Sequence, residues 1–112
     1  MRIAIPEVNG KLCMHFGHCP QFVMVDVDVD TKKVVKTEVI PAPPHEPGLL
    51  PKWLSDRLVD VVIAGGMGQR AQRLFAEKYI TVLVGAPSDS IETLVDNYLN
   101  DRLVTGVNVC DH

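Results

Sequence analysis

The chain has 112 residues, of which 46% are hydrophobic and 22% charged, and its net charge at pH 7 is −3. This composition is typical of a single globular domain over residues 1–112 and excludes an intrinsically disordered chain. The acidic balance argues against nucleic acid as a partner, and no apolar run has the length of a membrane span.

The first ten residues, MRIAIPEVNG, contain too short an apolar stretch for a signal peptide and predict a strand over Arg2–Pro6. A cytoplasmic location is therefore expected. Thiols stay mostly reduced there, and the cysteine count of three is odd. Cys13, Cys19 and Cys110 are accordingly expected to be ligands, nucleophiles or buried thiols rather than a disulfide framework.

The rest of the first half predicts a β-meander. A long loop is expected over Glu7–Gln21, and the segment FVMVDVDVD then alternates valine with aspartate, which indicates a half-exposed strand. After a turn near Asp30–Lys32, KVVKTEVI is its expected antiparallel partner. The proline-rich segment from Pro41 to Pro47 is predicted to be a stiff, extended connector.

The second half predicts three helices and two buried strands. Apolar residues recur at helical spacing in three segments, the last behind a capping-box pattern of Asp89 and Glu92. Between them, VDVVIA and ITVLVGA are typical of buried parallel strands, and RLVTGVNVCDH is a candidate edge strand. The expected apolar faces are Leu50, Trp53, Leu54 and Leu58; Ala71, Leu74, Phe75 and Tyr79; and Ile91, Leu94, Val95, Tyr98 and Leu99.

This order of elements predicts an α/β domain. A β-meander followed by βα units is expected to give a mixed five-stranded sheet with three helices on its faces, which is the plan of ribonuclease-H-like folds. Ligands of open α/β sheets bind at the carboxyl ends of parallel strands. If the first strand is parallel to the two later ones, three loops meet at that edge: Glu7–Gln21, GGMGQR after Ala64, and GAPSDS after Val84.

The first of these loops contains LCMHFGHCPQF, with two cysteines and two histidines within seven residues. Thiolate and imidazole are ligands of soft metals. The segment therefore predicts an open, exchangeable site for copper, iron or a sulfide cluster. Its candidate ligands are Cys13, His15, His18 and Cys19.

Three other interpretations of this loop stay open. A closed zinc site is disfavoured, because the spacings differ from C-x₂-C pairs and only Cys110 and His112 could complete the ligand set. Without a metal, the cysteines would be packed thiols and His15 would fix the loop through hydrogen bonds. Nucleophilic catalysis by a Cys–His pair lacks an orienting acid nearby in the sequence.

The second loop, GGMGQR, offers backbone donors. Gly65, Gly66 and Gly68 would let the main chain approach a ligand and direct N–H groups at an anion from a helix N-terminus. Met67 is a candidate to cover that ligand with its thioether, and Arg70 to add positive charge. The anion could be phosphate, sulfide or an anionic cluster.

Two further activities are disfavoured. The segment GMGQRA fits the dinucleotide fingerprint G-x-G-x-x-A, but the chain is too short for two mononucleotide-binding halves and the next strand ends in Gly85-Ala86 rather than an acid. A nuclease would need carboxylates converging on two metals. Here the first strand carries none, and Asp26, Asp28 and Asp30 form one solvated strand face.

HFGHCPQF and VVIAGGMGQRAQRLFAEKYITVLVGA resemble the dinitrogenase iron–molybdenum cofactor biosynthesis family, over nearly the whole chain. That family includes carriers of nitrogenase cofactor assembly and the orange protein, which holds a molybdenum–copper sulfide cluster without covalent bonds. Cys13 stands where the family often has a small hydroxyl residue, and His18 and Cys19 also depart from it. The motif residues are His15, Phe16, Gly17 and Phe22, with Gly65, Gly66, Met67, Gly68 and Ala71.

The resemblance implies a ribonuclease-H-like fold and a non-enzymatic protein that binds, stores or delivers a metal–sulfur cluster or its precursor. Iron–molybdenum and molybdenum–copper sulfide cargoes are both implied, with cluster-assembly or recipient proteins as partners of a monomer or weak homo-oligomer. The alternative is a small regulatory domain that binds a nucleotide or a partner protein at the same edge. The expected cofactor-binding residues are Phe16, Gly17, Gly65, Gly66, Met67, Gly68 and Arg70, and the expected metal ligands are Cys13, His15, His18, Cys19 and Cys110.

Overall fold

A computed structural model describes residues 1–44, 46 and 48–106, which form one mixed sheet with three helices. None of the helices in these residues has the length and apolar character needed to cross a membrane. The elements are β1 Arg2–Val8, β2 Lys11–Leu12, β3 Gln21–Asp28, β4 Lys33–Pro41, α1 Leu49–Asp56, β5 Val61–Ile63, α2 Gln69–Glu77, β6 Thr81–Leu83 and α3 Ile91–Leu99.

The strand order is β4-β3-β1-β5-β6, with β2 paired to β1. β1, β3 and β4 form the antiparallel meander, whereas β5 is parallel to β1 and β6 is parallel to β5. The α/β class, the mixed sheet, the three helices and the shared direction of β1 with the later strands are therefore confirmed. The predicted count of five strands is wrong, since the sheet has six; the ribonuclease-H-like designation stays a prediction.

The additional strand, β2, lies inside the segment that was expected to be a loop over Glu7–Gln21. β1 continues to Val8 and turns through Asn9 and Gly10, whose φ angles are 54° and 81°. Asn-Gly is the preferred pair for a two-residue hairpin because both residues tolerate positive φ. The hairpin was therefore readable from the local sequence.

The sheet buries a separate apolar layer on each face. On one side α3 contributes Leu94 and Val95 to a core with residues of β1, β3 and β5. On the other side Leu54 of α1 and Phe75 of α2 pack with residues such as Phe22 of β3. Because both faces are covered, β1 and β5 are buried along almost their whole length, as parallel central strands require.

The helices are shorter than their predicted apolar faces. Leu58 and Tyr79 follow α1 and α2 with φ angles of 62° and 60°, and they are 76% and 95% exposed. The predicted cap of α3 is also wrong by one residue. Ser90 is the N-cap, and its hydroxyl accepts the backbone N–H of Thr93 at 3.2 Å.

The predicted edge strand at the end of the chain is not present over residues 102–106. The remainder of that prediction, including the candidate ligand Cys110 and His112, lies outside the described residues.

Candidate functional site

Backbone hydrogen bonds join the first two loops at the carboxyl edge of the sheet. The N–H of Gly66 donates to the carbonyl of Met14 at 3.0 Å, and the N–H of Phe16 donates to the carbonyl of Gly66 at 3.3 Å. These bonds form a short parallel bridge between His15 and Gly66. The loop with the cysteines and histidines is therefore fastened to the Gly-rich loop by main-chain contacts.

The third loop contacts both of the others. The N–H of Gly85 donates to the carbonyl of Gly65 at 2.8 Å, and the N–H of Leu12 donates to the carbonyl of Asp89 at 3.0 Å. The prediction that three loops meet at one edge is thus confirmed.

Cys13 and Cys19 form a disulfide in this structure, with their Cα atoms 6.0 Å apart. The expectation of two unpaired cysteines is therefore wrong for this state of the protein. The chain between them turns back on itself, with the N–H of His18 donating to the carbonyl of His15 at 3.1 Å, and this turn brings the two sulfurs together. Neither sulfur is a thiolate ligand while the bond exists.

The described residues contain no group of three or more histidine, cysteine, aspartate or glutamate side chains placed to hold one metal ion. His15 and His18 are both exposed on the surface of the loop. A closed four-ligand zinc site is therefore not formed within these residues. The ligand roles of Cys13, His15, His18 and Cys19 stay predictions, and that of Cys110 concerns a residue outside the described chain.

A cleft of about 290 Å³ lies beside the disulfide loop. It is lined by the loop that follows β2, the proline-rich connector, the first residues of α1 and the N-terminal part of α2. The residues that line it include Phe16, Gly17, Cys19, Phe22, Leu50, Pro51, Gly68, Arg70, Ala71 and Leu74.

Five of the predicted site residues line this cleft: Phe16, Gly17, Cys19, Gly68 and Arg70. Gly65, Gly66 and Met67, the other predicted residues of the Gly-rich segment, do not line the cleft, and all three are buried. Gly65 and Gly66 make the inter-loop backbone contacts. The proposed covering role of Met67 is wrong, since its side chain is 1% exposed and packs in the apolar layer beneath α1 and α2.

The N-terminus of α2 and Arg70 bring positive charge to the cleft, and Glu46 of the connector contributes a carboxylate to its lining. Gly68 is the N-cap and provides no side-chain cap, and the first turn contains no acidic residue. The helix therefore presents N–H groups and the positive end of its dipole toward the cleft. The Arg70 guanidinium is exposed, and it has no ion pair with any side chain in the described part of the protein.

The interior of the cleft is apolar and partly aromatic. The Phe16 ring makes T-shaped contacts with the rings of Phe22 and Phe75, with ring centroids 5.8 Å and 5.6 Å apart. Phe16 and Phe22 also line the cleft, together with Leu50 and Leu74. An apolar wall next to a helix N-terminus that lacks a side-chain cap from Gly68 suits a ligand that is anionic but weakly hydrated.

Sequence reasoning missed the connector as a wall of the site. Because β4 is antiparallel to β3, and β3 is antiparallel to β1, β4 ends at the same edge of the sheet as β1. Ala42, Pro43 and Pro44 therefore leave β4 directly at the cleft. The predicted meander already contained this information, since the third strand of a meander runs in the direction of the first.

The profile of the family described as "Dinitrogenase iron-molybdenum cofactor" matches residues 1–101. The chain belongs to this family. The family resemblance expected from the HFGHCPQF and GGMG segments is thus confirmed. No curated protein matches the chain significantly.

Solved structures share the fold of this family member. PH0822 has a TM-score of 0.86 and 30% identity, with 94% of each chain covered. A candidate dinitrogenase from Methanocaldococcus jannaschii has a TM-score of 0.73 and 20% identity, with 96% of each chain covered. The apo form of the orange protein from Desulfovibrio gigas also has a TM-score of 0.73 and 20% identity, with 96% of this chain and 93% of that chain covered.

Proposed function

We propose that this member of the dinitrogenase iron–molybdenum cofactor family is a non-enzymatic carrier. Its cargo would be an anionic metal–sulfur cluster or the precursor of one, bound in the cleft at the carboxyl edge of the sheet. One observation carries the proposal: an apolar, aromatic cleft lies against the uncapped N-terminus of α2, with Arg70 at its rim.

The chemistry of the cleft fits such a cargo. A metal–sulfur cluster carries net negative charge, and backbone N–H groups at a helix N-terminus bind anions without a covalent bond. The sulfide surface of the cluster is polarisable and more weakly hydrated than phosphate, so the rings of Phe16 and Phe22 would contact it at little desolvation cost. A strongly hydrated anion such as phosphate would have to give up bound water against the same apolar wall, which costs free energy.

Family membership supports a metal cluster as the cargo. The likeness to the orange protein, at 20% identity, shows a shared fold. The iron–molybdenum and molybdenum–copper sulfide types share charge and sulfide chemistry, and the cleft would accept both. Delivery would require a recipient protein that reaches the cleft from its open side.

The soft side chains of the disulfide loop would add direct ligands when the cysteines are reduced. Cys19→Ser and His15→Ala are then expected to weaken binding strongly, because Cys19 lies in the cleft wall and His15 is on the same short loop. Cys110→Ser, the matched control, is expected to have a smaller effect. Negligible and equal effects of all three substitutions would contradict the proposed ligands.

The deciding experiment is anaerobic purification of the untagged chain, with an optical spectrum and elemental analysis for Fe, Mo, Cu, Zn and sulfide. The expected result is metal together with sulfide and visible charge-transfer bands. If the protein is isolated empty, titration with tetrathiomolybdate, alone and with Cu(I), is expected to restore such bands. Thermal stabilisation by adenine nucleotides but not by thiometallates would contradict the carrier function and favour a regulatory domain.

A further inference from the structure

The Cys13–Cys19 disulfide is built into the wall of the cleft. Cys19 lines the cleft and is only 8% exposed, whereas Cys13 is half-buried. Phe16 and Gly17, which lie between the two cysteines in sequence, also line the cleft. The disulfide therefore closes a loop whose middle residues are part of the candidate site.

The loop is also held in place by contacts that do not depend on the disulfide. The N–H of Cys13 donates to the carbonyl of Pro6 at 2.9 Å, and Met14 and Phe16 are both hydrogen-bonded to Gly66. The ring of Phe16 packs against Phe75 in the apolar layer. Cleavage of the disulfide would consequently change the chemistry of the two sulfurs while these contacts keep the wall of the cleft in place.

We infer that Cys13–Cys19 is a thiol–disulfide exchange site whose reaction partner is a dithiol, and that its reduced form is a two-thiolate ligand pair for soft metals at the cleft wall. A sulfur in a disulfide cannot ionise to a thiolate and is therefore a poor metal ligand, whereas a thiolate binds soft metals well. The inference deepens the proposed function, and it rests on that function for the identity of the cargo.

The exchange balances in two steps. A thiolate of the dithiol attacks the sulfur of Cys13, the more exposed of the pair; the Cys13–Cys19 bond breaks, and Cys19 leaves as a thiolate. The second thiol of the partner, as its thiolate, then attacks the partner sulfur that is bonded to Cys13 in the mixed disulfide, and Cys13 leaves as a thiolate. The protein gains two electrons as two thiols or thiolates, and the partner is oxidised to a disulfide.

The described residues do not form a closed set of ligands around this pair. A metal bound by the two thiolates would therefore keep coordination positions for ligands that it brings with it, such as sulfide. Such a site binds its metal without enclosing it, which suits a cargo that must be passed on. Oxidation would remove both ligands together and leave only the N–H groups and the apolar wall.

The test uses the full chain with Cys110→Ser, which leaves two of the three cysteines. The oxidised protein and the protein reduced with dithiothreitol are alkylated with iodoacetamide without denaturant and weighed by mass spectrometry. Separate samples of both forms that have not been alkylated are freed of reductant under anaerobic conditions and titrated with Cd²⁺. This soft ion does not itself change oxidation state, and its complexes with thiolates absorb in the ultraviolet. The controls are Cys13→Ser and Cys19→Ser in the same background.

The reduced form is expected to take up two alkyl groups and the oxidised form none, with an unchanged circular dichroism spectrum. Cd²⁺ affinity is expected to be at least about tenfold higher in the reduced form and to fall in both serine controls. Alkylation that requires denaturant, or Cd²⁺ binding that is the same in both forms, would overturn the inference. Exchange and Cd²⁺ binding without any uptake of tetrathiomolybdate would support the ligand pair and contradict the proposed cargo.

Discussion

Met14 occupies the space that a side chain at position 65 would need. A Cβ atom added to Gly65 would lie 2.7 Å from Sδ of Met14 and 3.2 Å from its Cα. The second distance concerns backbone, which cannot move aside as easily as the end of a thioether side chain. Gly65 thus permits the close approach of the two loops that build the cleft.

Gly65→Ser is expected to lower the free energy of unfolding by about 1–3 kcal/mol, because the added atoms overpack this contact. Thermal and denaturant unfolding followed by circular dichroism measures the effect. Gly68→Ser is the matched control, since a Cβ there meets nothing within 4 Å. Equal free energies of unfolding for the two variants would show that the loops at Met14 and Gly65 can move apart without loss of stability.

Gly68→Ser is itself expected to change stability and binding in opposite directions. Gly68 is the N-cap of α2 with extended backbone angles, φ −64° and ψ 153°, which serine adopts readily. The new hydroxyl would accept a backbone N–H of the first helical turn, so stability should rise by a few tenths of a kcal/mol. Because that N–H is then no longer available to an anion, tetrathiomolybdate should bind less tightly in an optical titration. Unchanged or tighter binding would contradict the role of the helix N-terminus.

Arg70→Gln is expected to weaken tetrathiomolybdate binding without changing stability. The guanidinium is exposed at the rim of the cleft, so its attraction for an anion is worth about 0.2–1 kcal/mol, or up to roughly fivefold in affinity. Because salt screens this attraction, the difference in affinity between the variant and the wild type should become smaller as the salt concentration is raised. Arg73→Gln, on the same helix but away from the cleft, is the control; equal losses in both variants would indicate a general charge effect.

The Arg2–Asp26 pair is expected to make stability depend on acid pH. Nε of Arg2 donates to the Asp26 carboxylate at 2.8 Å, and this hydrogen bond lowers the pKa of Asp26 against the opposing effect of partial burial. The lowered folded-state pKa means that the pair stabilises the protein above the unfolded pKa, about 3.9, and that this contribution is lost as pH falls through the folded value.

Asp26→Asn is therefore expected to cost about 0.5–1 kcal/mol at pH 7, and the difference from wild type should shrink below about pH 4. Thermal unfolding across this pH range measures it. Asp30→Asn, at an exposed position just beyond β3, should follow the wild-type pH profile. A constant difference between Asp26→Asn and wild type at all pH values would exclude the ion pair as its cause.

Local patterns determined most of the architecture. The helical spacing of Ile91, Leu94 and Tyr98, the apolar runs of β5 and β6, and the alternation in β3 each indicate an element through the residues of that element alone. The position of the Gly-rich loop at the carboxyl edge follows from the βα order. The hairpin at Asn9-Gly10 is equally local, because both residues of the turn tolerate positive φ.

The composition of the cleft was decided by tertiary structure. Met67 looked suited to cover a ligand, but the direction of its side chain depends on how α2 packs on the sheet, and it lies in the core. The connector became a wall because β4 returns to the edge where β1 ends. Sequence placed Cys13 and Cys19 on one loop, yet whether they form a ligand pair or a disulfide depends on the turn at His15–His18 and on the redox state of the two sulfurs.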